Sequence, residues 1–408
     1  MLSRRTLDCC LVMLIVSTTF CQELHFYKEK ADRSHENLKT AVNQFGIHLC
    51  RRLLNEGKNI IFSPFSLSTA LSMAFVGARG NTAIEMSSVL GFREAGLAQE
   101  DVPDSFYQAF QLLKSDQSGD KFYVANTALV QNNYNILNSY KRILHRKFYS
   151  DIQPVDFVRN GLWVKEMVNK WVSNITHNKI TSLIDKPLSP LTRLFLLNAV
   201  YFKGSWKTQF DRKRTTLSLF YNNNKVARRV EMMSLTNKFP YTYDSELKCQ
   251  VLELPYDGDK TSMIFILPEW DVRLKHVENA LSAQSVKQLI NNLQDTEIVV
   301  TIPKFKLENS PQIKEYLQVM GMNEAFSFSA DFSGMNGRRN LFVKDVLHKA
   351  MIDVNEEGSE AAAVSGVVVM LKSASHNLPT FVANHPFMFL IINKESGMIL
   401  FLGSVREL

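Results

Sequence analysis

Between Glu360 and Lys394 the chain has one long cationic side chain, Lys372, followed by Ser373. A lysyl bond is the substrate of trypsin-like proteases, whose specificity pocket holds a buried carboxylate that a long cation must reach. Leu371 would fill the subsite before it, and Met370 or Leu371 would instead serve a chymotrypsin-like enzyme. The chemistry these residues offer is cleavage of their own backbone by another protein. Upstream lies Glu356-Glu357-Gly358-Ser359-Glu360-Ala361-Ala362-Ala363-Val364-Ser365, rich in small side chains, then the β-branched Val367, Val368 and Val369. That is strand composition, yet Leu378-Pro379 ends any strand. A strand-like segment between breakers has two homes, an exposed loop or a slot in a sheet.

Chemistry performed by the chain itself finds no motif. There is no Gly-x-Ser-x-Gly elbow, no phosphate-cradling loop and no His/Cys cluster of zinc spacing. The chain is therefore read as no enzyme, with no metal and no required cofactor. Of the five cysteines, Cys9, Cys10 and Cys21 lie at the start, leaving Cys50 and Cys249. These two either pair or stay as buried thiols, and the unpaired state is favoured. Arg4 and Arg5, the apolar run from Cys9 to Val16 and the small residues up to Cys21 read as a secretory signal over residues 1–21, too short to span a bilayer. Residues 22–408 are then expected to be one secreted, extracellular domain, stored or not in granules before release. Asn174-Ile175-Thr176 would be a surface glycosylation acceptor. The net charge of +7 permits a polyanion such as heparan sulfate without demanding it. No aromatic-interleaved basic motif points to nucleic acid, and no later segment is apolar enough for a membrane helix.

The elements that must position this segment are mixed. Leu38, Val42, Phe45, Leu49 and Leu53 recur at helical spacing, and Gly57 can end that helix. Ser66 to Val76, Tyr107 to Leu113, Tyr140 to Phe148 and Val164 to Ser173 suggest further helices. Phe195 to Phe202 is an unbroken apolar run, expected to be a strand buried on both faces. Val251 to Leu254, Ser262 to Leu267 and Glu297 to Leu307 are expected strands, and Phe387 to Ile392 and Met398 to Leu402 a hairpin turned at Lys394-Glu395-Ser396-Gly397. The fold class is α+β, in one domain without linker or repeat.

Four motifs in order give the chain its resemblance: Asn59 to Ser66, Asn198 to Trp206, His348-Lys349-Ala350 and Phe381 to Phe389. Together they resemble the serpin family, over essentially everything after residue 21. The resemblance implies a single domain with three β-sheets, about nine helices and an exposed, mobile reactive-centre loop at about 357–380. It implies a metastable inhibitor whose loop is attacked by a serine protease and, once cut, inserts as an extra strand while the enzyme is still covalently attached. Family spacing from Gly358 also lands on Lys372 and Ser373, although spacing measured back from the C-terminal signature would allow a bond as late as Ser375. By the family's alternation Ser359, Ala361, Ala363 and Ser365 face inward, all small and uncharged, and Glu360 faces out. The hinge is Glu357, Gly358, Ser359, Glu360, Ala361, Ala362 and Ala363. Ser63, Ser66, Asn198 and His348 resemble the polar cluster beneath the parting strands, and Trp206, Lys304 and Glu356 the contacts at the top of the sheet.

The expected partner is a trypsin-like serine protease in a covalent complex, with the inhibitor a monomer. The lysyl bait is similar to that of arthropod clot-regulating serpins, including the horseshoe-crab coagulation inhibitors. A glycosaminoglycan could lie on Lys141, Arg142, His145, Arg146 and Lys147, although the family's best-known cofactor helix, around Ser105 to Ser115, has only Lys114 here. The alternative is a non-inhibitory serpin, acting as carrier, storage protein or chaperone.

Overall fold

The structure is a computed structural model that describes residues 4–53, 57–114, 121–223, 226–359 and 378–408. Its fourth strand, β4 (Leu194–Lys203), is buried along nearly its whole length, as its apolar run requires. Alternation divides its side chains between two layers. Phe195, Leu197, Ala199 and Tyr201 join one core cluster with Val164, Val168 and Val172 of α6 (Gly161–Ile175). Leu194, Leu196, Val200 and Phe202 belong to the main core with Phe65, Leu67 and Leu71 of α2 (Pro64–Gly77). Asn198 falls on this second face, buried among apolar neighbours.

β4 is central in a five-stranded sheet whose order is β10 (Phe305–Asn309), β11 (Val343–Val354), β4, β2 (Lys121–Gln131), β3 (Asp151–Val155). The pairing of β11 with β4 is parallel, from Val343 opposite Leu194 to Met351 opposite Tyr201. β2 runs antiparallel to β4 on the other side.

The remaining nine strands form one connected system. Its long member, β6 (Ala227–Asp244), pairs at its start with β5 (Thr216–Tyr221) and from Met232 to Tyr241 with β9 (Gln294–Pro303), and β9 carries β12 (Thr380–Val382). The end of β6 pairs with β7 (Cys249–Pro255), followed by β8 (Thr261–Pro268), β13 (Phe387–Asn393), β14 (Met398–Val405) and β1 (Ile60–Phe62). The molecule thus has three sheets, two of them joined through β6, and ten α-helices among the described residues.

One expectation needs correction. The single strand from Glu297 to Leu307 is two, because the chain changes sheets between Pro303 and Phe305, where the Lys304 N–H bonds the Glu231 carbonyl. Residue 21, where the sequence reading ends the signal, falls within helix α1 (Arg4–Leu53). Cys50 and Cys249 are separate buried thiols; burial pushes Cys249 up to about 12 and Cys50 further.

Candidate functional site

The parallel seam between β4 and β11 is bridged by side chains. Register places Asn126, Asn198 and His348 side by side on three adjacent strands. Below them is the N-terminus of α2, where Ser63 is the cap and its Oγ accepts the Ser66 N–H at 3.1 Å. The Asn198 amide donates to Ser66 Oγ at 2.5 Å and to Asn126 Oδ1, while its Oδ1 meets His348 Nδ1. His348 Nε2 accepts the Ser63 backbone N–H at 3.2 Å. That pattern fixes a neutral ring protonated on Nδ1, since a second ring proton would face an N–H. Complete burial without a counter-charge lowers His348 to about 3. The four residues expected here are all brought together. Asn126 was missed, because it joins the cluster through the register of β2 against β4.

The top of the seam is closed by the hinge. After β11 the chain turns back, and Gly358 makes antiparallel bridges to Asn355 on one side and Ser205 on the other. The Ser359 N–H donates to the Gly204 carbonyl at 2.5 Å, and the Trp206 N–H to the Glu357 carbonyl at 2.8 Å. Glycine is required at 358: its φ is +148°, and a Cβ would lie 2.0 Å from the Gly204 oxygen. Ser359 is fully buried, with Oγ 2.6 Å from the Tyr256 hydroxyl.

Trp206 stacks on Tyr256 at 4.5 Å, and its indole N–H donates to the Asn355 carbonyl at 2.9 Å. Lys304 lies 3.4 Å from Glu356 and 3.2 Å from Glu231. Burial opposes ionisation of Glu356, but a backbone N–H, the Thr215 hydroxyl and Lys304 outweigh it and hold the carboxyl below its usual range. Arg212 pairs with Glu357. Thr215, Arg212, Glu231 and Tyr256 were not foreseen, because their link to the hinge is tertiary. At the far end of the loop, the Val299 N–H bonds the Pro379 carbonyl at 3.0 Å. Glu360, Ala361, Ala362, Ala363, Ser365, Lys372 and Ser373 lie outside the described residues.

The basic helix α5 (Asn138–Phe148) exposes Lys141, Arg142 and Arg146, whereas His145 is 3.5 Å from Asp151 and Lys147 pairs with Asp104. Asn174 is exposed on the last turn of α6, while Thr176 is fully buried and its hydroxyl donates to the Val172 carbonyl at 2.7 Å.

The family described as serpin (serine protease inhibitor) matches residues 40–408. This chain belongs to the serpin family. It is 42% identical to intracellular coagulation inhibitor 1 of the horseshoe crab Tachypleus tridentatus over 90% of this chain and 88% of that one. Among solved structures, human thyroxine-binding globulin superposes with a TM-score of 0.85 at 28% identity, covering 92% of this serpin and 99% of the other chain. Mouse protein-Z dependent protease inhibitor gives 0.83 at 28%, covering 93% and 99%. The serpin thus has inhibitory relatives, and protease inhibition is the activity class they support. The resemblance to horseshoe-crab coagulation inhibitors holds. The expectation of secretion, drawn from an apolar N-terminal run, is corrected: the Tachypleus relative is named as an intracellular inhibitor.

Proposed function

We propose that this serpin irreversibly inhibits trypsin-like serine proteases, with Lys372-Ser373 as the bait bond and the β4–β11 seam as the slot for the cut loop. The protease serine attacks the Lys372 carbonyl, an ester forms, and the Ser373 amine leaves with the proton. The freed upstream segment then enters the seam, carrying the ester-linked protease with it, before water can hydrolyse the ester. Strand addition of this kind releases strain stored in the native fold.

One observation carries this reading: Gly358 is already hydrogen-bonded between Ser205 and Asn355, antiparallel to both. It forms the first rung of a strand between β4 and β11. Continuing that strand would replace one parallel pairing by two antiparallel ones, the more stable type per residue. Ser359 fits the interior, and the residues that follow inward are small.

The test is to mix the protein with trypsin and analyse it by denaturing electrophoresis and mass spectrometry. A complex near the sum of the two masses, with a released peptide beginning at Ser373, is the expected result. Cleavage after Lys372 without a complex would make the protein a substrate only and overturn the reading. Absence of cleavage there would overturn the bait bond.

A further inference from the structure

One end of the five-stranded sheet gathers apolar side chains that the fold leaves uncovered. There β4 begins, and β11 begins beside it with Val343 opposite Leu194. β2 and β3 finish there, where the Gln131 N–H bonds the Arg193 carbonyl at 3.0 Å and the Asn132 N–H the Val155 carbonyl at 2.9 Å. Leu191, just before β4, is 67% exposed, and Leu162 and Trp163, on the first turn of α6, are 59% and 57% exposed. A Cβ on Gly161 would lie 3.0 Å from the Leu188 carbonyl oxygen, so the start of α6 sits against the segment leading to Leu191. Phe328 is 91% exposed, its ring 4.9 Å from that of Phe342, the residue before β11.

The charges at this end differ in availability. Asp156 accepts the N–H groups of Val158 and Arg159, both at 3.1 Å, Asp345 accepts that of Val346 at 2.8 Å, and Asp331 pairs with Arg339. Arg159, Lys186 and Arg338 are exposed and form no ion pair among the described residues. Apolar residues scattered singly over a surface need no explanation, but several at one end, interleaved with cations, mark an interaction site. From β11 to β3 is three strand spacings, about 14 Å, so these side chains project from separate segments across a broad face. A rigid protein partner would have to match each projection, whereas a fluid bilayer admits them separately. Aromatic and aliphatic tips beside Lys and Arg are the side chains that settle at the boundary between lipid headgroups and acyl chains.

We propose that this end of the molecule docks on anionic phospholipid bilayers, with Leu162, Trp163, Leu191 and Phe328 entering the headgroup layer. Arg159, Lys186 and Arg338 then meet the lipid phosphates and carboxylates. Among the described residues no helix is long and apolar enough to cross a membrane, so the contact lies on the surface. Charge complementarity selects this occupant: a second copy would set these cations against their own kind, and a soluble polyanion has no use for the apolar tips. The hinge closes the other end of β4, a strand of ten residues and so about 33 Å away, and a docked molecule holds its reactive loop clear of the bilayer. The proposal does not depend on the inhibitory reading above.

The experiment titrates the full chain with vesicles of phosphatidylcholine, with and without phosphatidylserine, whose acyl chains carry bromine to quench nearby tryptophan emission. The apolar run from Cys9 to Val16 can adhere to lipid by itself, so the position of Trp163 is the decisive readout. We expect quenching by the phosphatidylserine vesicles that weakens with salt and that Trp163→Phe largely removes. Leu162→Ser/Leu191→Ser/Phe328→Ser and Arg159→Glu/Lys186→Glu/Arg338→Glu should each shift the quenching curve to about tenfold higher lipid or more, with melting temperatures close to wild type. No binding, the same quenching in Trp163→Phe, or a wild-type curve in both multiple variants would overturn the proposal. A shift in the charge variant alone would also overturn it, leaving electrostatic adhesion without insertion. Dimerisation at rising protein concentration that the serine variant abolishes, without any lipid binding, would overturn it and give the face to a second copy.

Discussion

Ser359 and His348 are buried polar residues with opposite demands on the chemistry around them. Ser359 occupies the first inward position of the proposed strand, fully enclosed and bonded to Tyr256. An arginine there would carry an unpaired charge into the slot at a cost of several kcal/mol, roughly. In Ser359→Arg, Lys372 should still be cut, but the yield of stable complex should fall by about tenfold or more on a denaturing gel. Wild-type yield would refute the inward assignment. His348 is held neutral, at about 3 in the fold against an ordinary value of 6.5. The unfolded chain therefore binds the extra proton first as pH drops. The stability this ring contributes is complete above pH 6.5 and is lost as pH falls toward 3, by roughly 3 kcal/mol at pH 4. His35, His48 and His385 are also lowered, each chiefly by burial, and push in the same direction. The informative quantity is the difference from His348→Gln, which keeps an amide for hydrogen bonding. The advantage of the wild type in melting temperature should shrink between pH 7 and pH 4, and a gap independent of pH would refute the assignment.

Elements explain why some of this was legible in the sequence and some was not. The apolar run around Asn198 predicts a strand buried on both faces, and alternation along it assigns Asn198 to the α2 layer. The family motifs then supply Ser63, Ser66 and His348. Asn126 joins them only through the register of β2 against β4, which no local pattern encodes. The split of β9 from β10 was hidden for a similar reason: the alternating apolar residues continue through Lys304 although the chain changes sheets there. Trp206 and Lys304 were foreseen at the top of the seam, but Arg212 and Thr215 reach the hinge from a short segment before β5 whose exposed basic sequence carries no such signal. The seam itself is testable at this scale. Ala199 and Lys349 are paired across β4 and β11. Neighbouring strands lie about 5 Å apart, within disulfide range. The double variant Ala199→Cys/Lys349→Cys should, when oxidised, be cleaved at Lys372 without trapping trypsin, and reduction should restore trapping. The buried Cys50 and Cys249 are poor competitors for the new bond. Equal trapping by the oxidised and reduced forms would show that the loop does not need this seam.

At the scale of the whole molecule, the proposed mechanism requires that the native arrangement keep a more favourable pairing out of reach. The five-stranded sheet holds β4 and β11 together in parallel and ties the seam with Asn198 and His348. The hinge stops after one rung, held by Gly358 and the Arg212–Glu357 pair. An intact loop is anchored at both ends, at Glu357 and at β12, so its upstream segment cannot travel far down the seam. Cutting one bond removes the downstream anchor and leaves every other contact in place. If stored strain drives the mechanism, a single cleavage should make the protein more stable, whereas nicking an ordinary exposed loop leaves stability unchanged or lower. A net gain of about 5 kcal/mol would raise the melting temperature by roughly 6 °C, since the unfolding entropy of a chain this long is about 0.85 kcal/mol/K. Calorimetry before and after limited cleavage at Lys372 measures it, with the oxidised Ala199→Cys/Lys349→Cys variant as the internal control, because there the loop is cut but cannot enter. A rise in the wild type and none in the locked variant is the expected pair of results. An equal melting temperature for cut and intact wild type would mean that the native sheet stores no usable strain, and trapping of any protease would then need another source of energy.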